Sequence, residues 1–213
     1  MASASPNTLT LTYLTDLELF FHLSSFQSSS ETEQPNAPIS LSYVGDEERT
    51  SNLKPRSLTT TKRFFLQLLR AHLHSIPQYQ TPIASLLNVI SSGWNAALAL
   101  SEAVRVLNLS CMNDEVILSD ERMAVDTMLL LPTLQTKVKA RFEIAASPVG
   151  EAMETNVQVQ AQVVYGERYD EAKMGEFLTG FAGGPIGSIE GMGRWAEGIE
   201  DLRVRLIRRG RKG

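Results

Sequence analysis

The residue period of this chain changes partway along, and that change constrains the fold more than any other feature. Residues 59–108 read TTTKRFFLQLLRAHLHSIPQYQTPIASLLNVISSGWNAALALSEAVRVLN, with apolar residues at helical spacing. Residues 123–145 read MAVDTMLLLPTLQTKVKARFEIA, with long stretches in which apolar and polar residues alternate. Core positions are dense across both tracts and catalytic residue types are sparse. A chain built this way is suited to packing and docking rather than to catalysis.

Within the helical tract, Phe64, Phe65, Leu68, Leu69 and Leu73 form one stripe, with Thr59, Thr60 and Thr61 as N-cap residues before it. Pro77 ends that helix, and Thr81-Pro82 opens the next in an N-cap and N1 arrangement. Ile83, Leu86, Leu87, Ile90, Trp94, Ala97, Leu98, Ser101 and Val104 carry the second helix toward Asn108. Gly93 inside it is a place for a kink or break. Trp94, Phe64, Phe65 and Leu87 are the expected core of this region.

Before the helices, Leu9, Leu11 and Tyr13 alternate with threonines, and Leu17, Leu19 and Phe21 follow a turn near Thr15-Asp16. A polar, breaker-rich loop then leads to a short strand over Ile39, Leu41 and Tyr43. After the helices, Met128 to Leu131 form an apolar strand stopped by Pro132. Val138, Ala140, Phe142 and Ile144 alternate with Lys137, Lys139, Arg141 and Glu143, and Val157, Val159, Ala161 and Val163 alternate with glutamines. One dry and one wet face is the mark of an antiparallel sheet. Two helices, over residues 170–181 and 188–209, close the chain. The order predicts an α+β fold with helices packed on one face of each sheet, and excludes a doubly wound nucleotide fold.

The chain has 213 residues, enough for one large domain or two small ones, and its 43% hydrophobic and 21% charged content is that of a folded protein. Net charge is −4 and pI about 5.5, which gives no global drive toward nucleic acid. The single cysteine, Cys111, allows no internal disulfide and fits a reducing compartment. With no secretory signal and no apolar run of about 18 residues, the expectation is a soluble intracellular chain. With a first candidate strand as early as Thr8, the expectation is a piece of a longer protein.

Chemistry-bearing constellations are missing from the pattern. His72 and His74 diverge by about 200° on a helix and cannot grip one metal, and His22 lies far away in sequence. Cys111 has no neighbouring base in sequence to activate it. Gly183, Gly184, Gly187, Gly191 and Gly193 lack the Gly-Lys-Ser/Thr ending of a phosphate loop and read as a helix break. Arg203, Arg205, Arg208, Arg209, Arg211 and Lys212 form the one basic cluster; they complement a helix dipole, or offer an anionic partner a handle. No cofactor, metal or small-molecule substrate is expected.

FFLQLLRAHL, SSGWNAALALSEAVRVLNL, ILSDERMAVDTMLLLP and TKVKARFEI resemble the C-terminal region of the fungal outer-kinetochore scaffold, the kinetochore-null, Blinkin or Spc-seven family. The resemblance covers roughly residues 64–177, with a weaker match from near Tyr13. It implies two RWD units, 1–79 (short of helices) and 80–213, sharing a packed interface. It also implies a non-catalytic module, since RWD domains are relatives of ubiquitin-conjugating folds and Cys111 precedes the second sheet rather than following it. The implied partner is a subunit tail of the MIND complex, with a Zwint-like partner on an upstream coiled coil, and the implied location is the nucleus, at the kinetochore. Without heptads the fragment is expected to be monomeric.

Three surfaces are candidates for docking. Ile39, Leu41 and Tyr43 form a short edge strand that an extended tail could join. Asp46, Glu47 and Glu48 could steer a basic tail, and Lys137, Lys139 and Arg141 an acidic one. Chromatin or nucleic-acid contact through the arginine tail, and an inactive RWD adaptor of a conjugation pathway, are the alternatives.

Overall fold

The computed structural model describes residues 2–5, 8–14, 16–22, 39–44, 58–76, 81–182 and 194–210. They form two four-stranded antiparallel meanders and four α-helices, so the fold is α+β as expected. The first sheet runs β1 (Ala2–Ser5), β2 (Thr8–Tyr13), β3 (Leu17–His22) and β4 (Ser40–Tyr43), in that order. Helices α1 (Thr60–Ser75) and α2 (Ile83–Leu107) follow. The second sheet is β5 (Met112–Ser119), β6 (Arg122–Leu131), β7 (Thr136–Val149) and β8 (Ala152–Tyr165), with a 3-10 turn at Pro132–Leu134. Helices α3 (Glu171–Ala182) and α4 (Arg194–Gly210) end the described chain.

Side-chain alternation builds both sheets. Leu17, Leu19 and Phe21 on β3 are buried, and the register pairs Leu17 with Tyr43 and Leu19 with Leu41, so one dry face forms across β3 and β4. On β7, Val138, Ala140, Phe142, Ile144 and Ala146 point into the core while Lys137, Lys139, Arg141 and Glu143 line the other face. The strand β1 is an addition to the expected three. Its sequence, ASAS, has no apolar alternation, and it is held by a main-chain ladder from Ala2↔Leu11 to Ser5↔Thr8.

The helices correct three details. Thr59 caps α1 as expected, its hydroxyl accepting from the Lys62 amide at 3.3 Å. Pro82, however, is itself the cap of α2 rather than its first residue. Gly93 makes no kink. The helix is continuous, and a Cβ at Gly93 would lie 2.9 Å from Leu69 Cδ2 and 3.2 Å from Met153 Cε. Glycine is there because α1 and β8 both press against α2 at this point. Finally, Leu86 is 2% exposed whereas Leu87 is only half-buried, so Leu86 takes the inward position.

By length and composition α2 could also cross a bilayer, its most apolar window having mean hydropathy 1.4, which the run-counting expectation overlooked. Its apolar stripe is instead the wall between the two sheets. Buried residues of both halves join one core through it. Trp94, fully buried, meets Tyr43 of β4 at 6.0 Å between ring centroids, and its indole N–H donates to Asp16 at 3.4 Å. Tyr13 and Ser91 bond through their hydroxyls at 2.7 Å. From the other side, the Met153 amide of β8 donates to Ser92 Oγ at 2.8 Å. At the β7–β8 turn, Glu151 accepts from Ser85 and Asn88 of α2, which holds its carboxyl below the usual carboxylate range.

A further tie, between the second sheet and α1, is electrostatic. Glu115 of β5 accepts from the Thr61 amide at 2.8 Å and from the Thr61 hydroxyl at 2.6 Å. A carboxylate is thereby placed at the N-terminus of α1, where the helix dipole favours it. The last helix is anchored by Trp195, which stacks on Phe142 with centroids 4.4 Å apart and planes within 9°.

Two mutants test the joint. Trp94→Ala should lower unfolding free energy by about 3–5 kcal/mol, as for other buried aromatics. Glu115→Ala should cost about 1–3 kcal/mol, because the fully buried Thr61 loses a charged acceptor for two donors. Thermal or denaturant unfolding reads both; a Trp94→Ala melting curve that overlays the parent would remove α2 as the shared wall.

Candidate docking surfaces

The edge of β4 is shaped by its ladder. The Val44 amide donates to the Asp16 carbonyl at 2.9 Å, which continues the register one residue past Leu17↔Tyr43. Bonded pairs alternate along an antiparallel ladder, so Glu18↔Ser42 exchange hydrogen bonds and the main chain of Leu41 points away from β3. Arg70 of α1 reaches that edge and donates Nε–H to the Leu41 carbonyl at 2.8 Å. The side chains of Ile39, Leu41 and Tyr43 are 2%, 4% and 6% exposed and belong to the core. What this strand can offer a partner is therefore main chain, with one acceptor already engaged. Asp46, Glu47 and Glu48 lie outside the described residues.

On the outer face of the second sheet, Lys139 and Arg141 converge on Asp126 of β6. The Lys139 ammonium is 2.8 Å from Asp126 Oδ2 and Arg141 Nε is 3.3 Å from Oδ1. Asp126 and Arg141 are direct cross-strand partners, and the neighbouring Glu143 is 3.3 Å from Arg122. This face is therefore a pattern of paired charges, less basic than Lys137, Lys139 and Arg141 suggest when read without β6. Nothing in the sequence marks Asp126 as their partner, because the pairing depends on register.

The remaining reactive groups are dispersed. Cys111 sits in the turn between α2 and β5, and burial pushes its thiol pKa up, which keeps it protonated. His72 is half-buried on α1, and desolvation lowers its pKa, while His74 is exposed. The side chain of His22 and the glycine-rich segment 183–193 lie outside the described residues. Of the basic cluster, Arg203 is 3.5 Å from Glu200 and Arg205 lies 4.1 Å over the ring of Phe177; Arg211 and Lys212 are not among the described residues.

Comparison with known families places a boundary on this picture. Residues 1–101 match the family model of the Knl1 RWD C-terminal domain. The match spans the first sheet, α1 and most of α2, and stops before the second sheet. Among curated proteins there is no significant match.

Arg70 and β4 fall inside the matched residues, and their bond can be tested directly. Arg70→Ala should cost about 1 kcal/mol of stability, the usual worth of one hydrogen bond to a main-chain acceptor. A cost near zero in chemical unfolding would mean that water satisfies the Leu41 carbonyl and that the edge is open.

Proposed function

We propose that this chain, whose first 101 residues match the Knl1 RWD C-terminal domain model, docks a kinetochore scaffold onto the MIND complex by capturing a subunit tail. The family match carries the reading: the Knl1 RWD region is a kinetochore protein-interaction module, and that supports a role at chromosomes and in chromosome segregation. The resemblance over residues 64–177 extends the same identity into the second sheet, and we divide the chain accordingly into an N-terminal unit, 1–79, and a C-terminal unit, 80–213. In this arrangement a Zwint-like partner engages a coiled coil upstream, and the docked scaffold supports spindle-checkpoint signalling.

The tail reaches the β4 edge through main-chain hydrogen bonds, displacing Arg70 from Leu41. Asp46, Glu47 and Glu48 steer its basic residues, while Asp126 already engages Lys139 and Arg141 on the other candidate face. A protonated Cys111 in a tight turn supports a non-catalytic role for the fold.

Calorimetric titration of the chain with recombinant MIND complex at moderate salt tests this. Saturable one-to-one binding is expected, with Arg70→Ala binding at least as tightly as the parent because the edge acceptor is already free. No heat and no complex on gel filtration would overturn the docking reading. Capture of ubiquitin or a conjugating enzyme in its place would move the chain to the adaptor class.

A further inference from the structure

We propose that the groove between α3 and α4 is a second docking site, one that takes an acidic protein segment with apolar anchors. The groove has a volume of about 390 Å³ and lies toward the start of α3 and the end of α4. Met174, Phe177, Leu202 and Leu206 form its floor, and Arg205, Arg208 and Arg209 form its rim. It does not depend on MIND binding and has its own chemistry.

The local sequence explains why this surface is both apolar and positively charged. Helix α3 spends Met174, Gly175, Leu178 and Ala182 on the core, which leaves Phe177 half-exposed at the groove. Helix α4 buries Trp195, Ile199, Leu202 and Leu206, and its last two turns carry Arg205, Arg208 and Arg209 outward. Arg205 lies 4.1 Å over the Phe177 ring, which holds a guanidinium above the apolar floor without neutralising it.

Charge pairing separates this rim from the rest of α4. Arg194 is near Glu197 and Arg203 is near Glu200, while within the groove lining Lys173 is near Asp170, which precedes α3. Among the described residues Arg205, Arg208 and Arg209 take part in no ion pair. At one end, Tyr169 donates its hydroxyl to Glu167 at 2.6 Å, and burial with that carboxylate raises its pKa to about 12, so the phenol stays neutral.

Three unpaired guanidiniums around an apolar floor match a segment that brings carboxylates and a large side chain together. Helix α3, 12 residues and about 18 Å long, offers a wall for roughly three turns of a bound helix. Nucleic acid fits less well. The face of Phe177 is already covered by Arg205, and the three cations sit at one end of the hairpin rather than along a phosphate track.

Fluorescence anisotropy with the intact chain tests the site. The probe is a labelled peptide of about 15 residues, or about four helical turns, with Leu and Phe on one helical face and Glu elsewhere. Saturable binding is expected, weakened about tenfold or more by the double variant Arg208→Glu, Arg209→Glu, and similarly weakened when Lys replaces Glu in the peptide. Both arginines are exposed, so an unchanged melting temperature for the variant confirms its fold. Equal binding of the Lys peptide, no binding of the Glu peptide, or tighter variant-sensitive binding of duplex DNA would each overturn the proposal. MIND binding is read separately, so either proposal can fail alone.

Discussion

Burial of one face of α2 between two sheets is the constraint on which the rest of this structure depends. A four-stranded meander with one dry face needs a partner, and here both sheets reach the same helix. Trp94 serves the first sheet through Tyr43 and Asp16, while Gly93 and Ser92 admit β8 on the other side. Neighbouring residues along one turn thus answer to different sheets. The large indole fills space where the helix meets β4, and the absent side chain next to it lets Leu69 and Met153 close in.

Polar contacts then fix the geometry that apolar packing leaves loose. Hydrophobic burial is non-directional, so it brings elements together without setting their angles. Glu115 at the start of α1, Glu151 at the start of α2 and the Tyr13–Ser91 hydroxyl pair each tie a helix to a particular strand or turn. At the surface, the same kind of pairing consumes charges that a linear reading would assign to partners, as Asp126 does for Lys139 and Arg141.

Periodicity made most elements legible. Alternation in β2, β3 and β7 and the helical stripes of α1 and α2 all appear in the residues themselves. Elements without a patterned face were not: β1 is four small residues, and β5 exposes residues on both faces. The choice between Leu86 and Leu87 turned on helical phase, which neighbouring leucines leave ambiguous. Docking surfaces were the least legible. Whether Leu41 presents a free carbonyl depends on ladder parity and on Arg70, 29 residues away, and whether Arg141 is available depends on cross-strand register. Local pattern carries neither piece of information.

The shared helix also separates similarity from foldability. The family match stops at residue 101, yet α2 runs to Leu107, and Ala103, Val104 and Leu107 complete its buried stripe. A chain cut where the match ends would keep Trp94 but present an unfinished wall, with Gly93 and Ser92 facing solvent where β8 belongs. The stretch that matches the family model is therefore not a unit that can be lifted out, and substitutions along α2 are screened by two sheets at once.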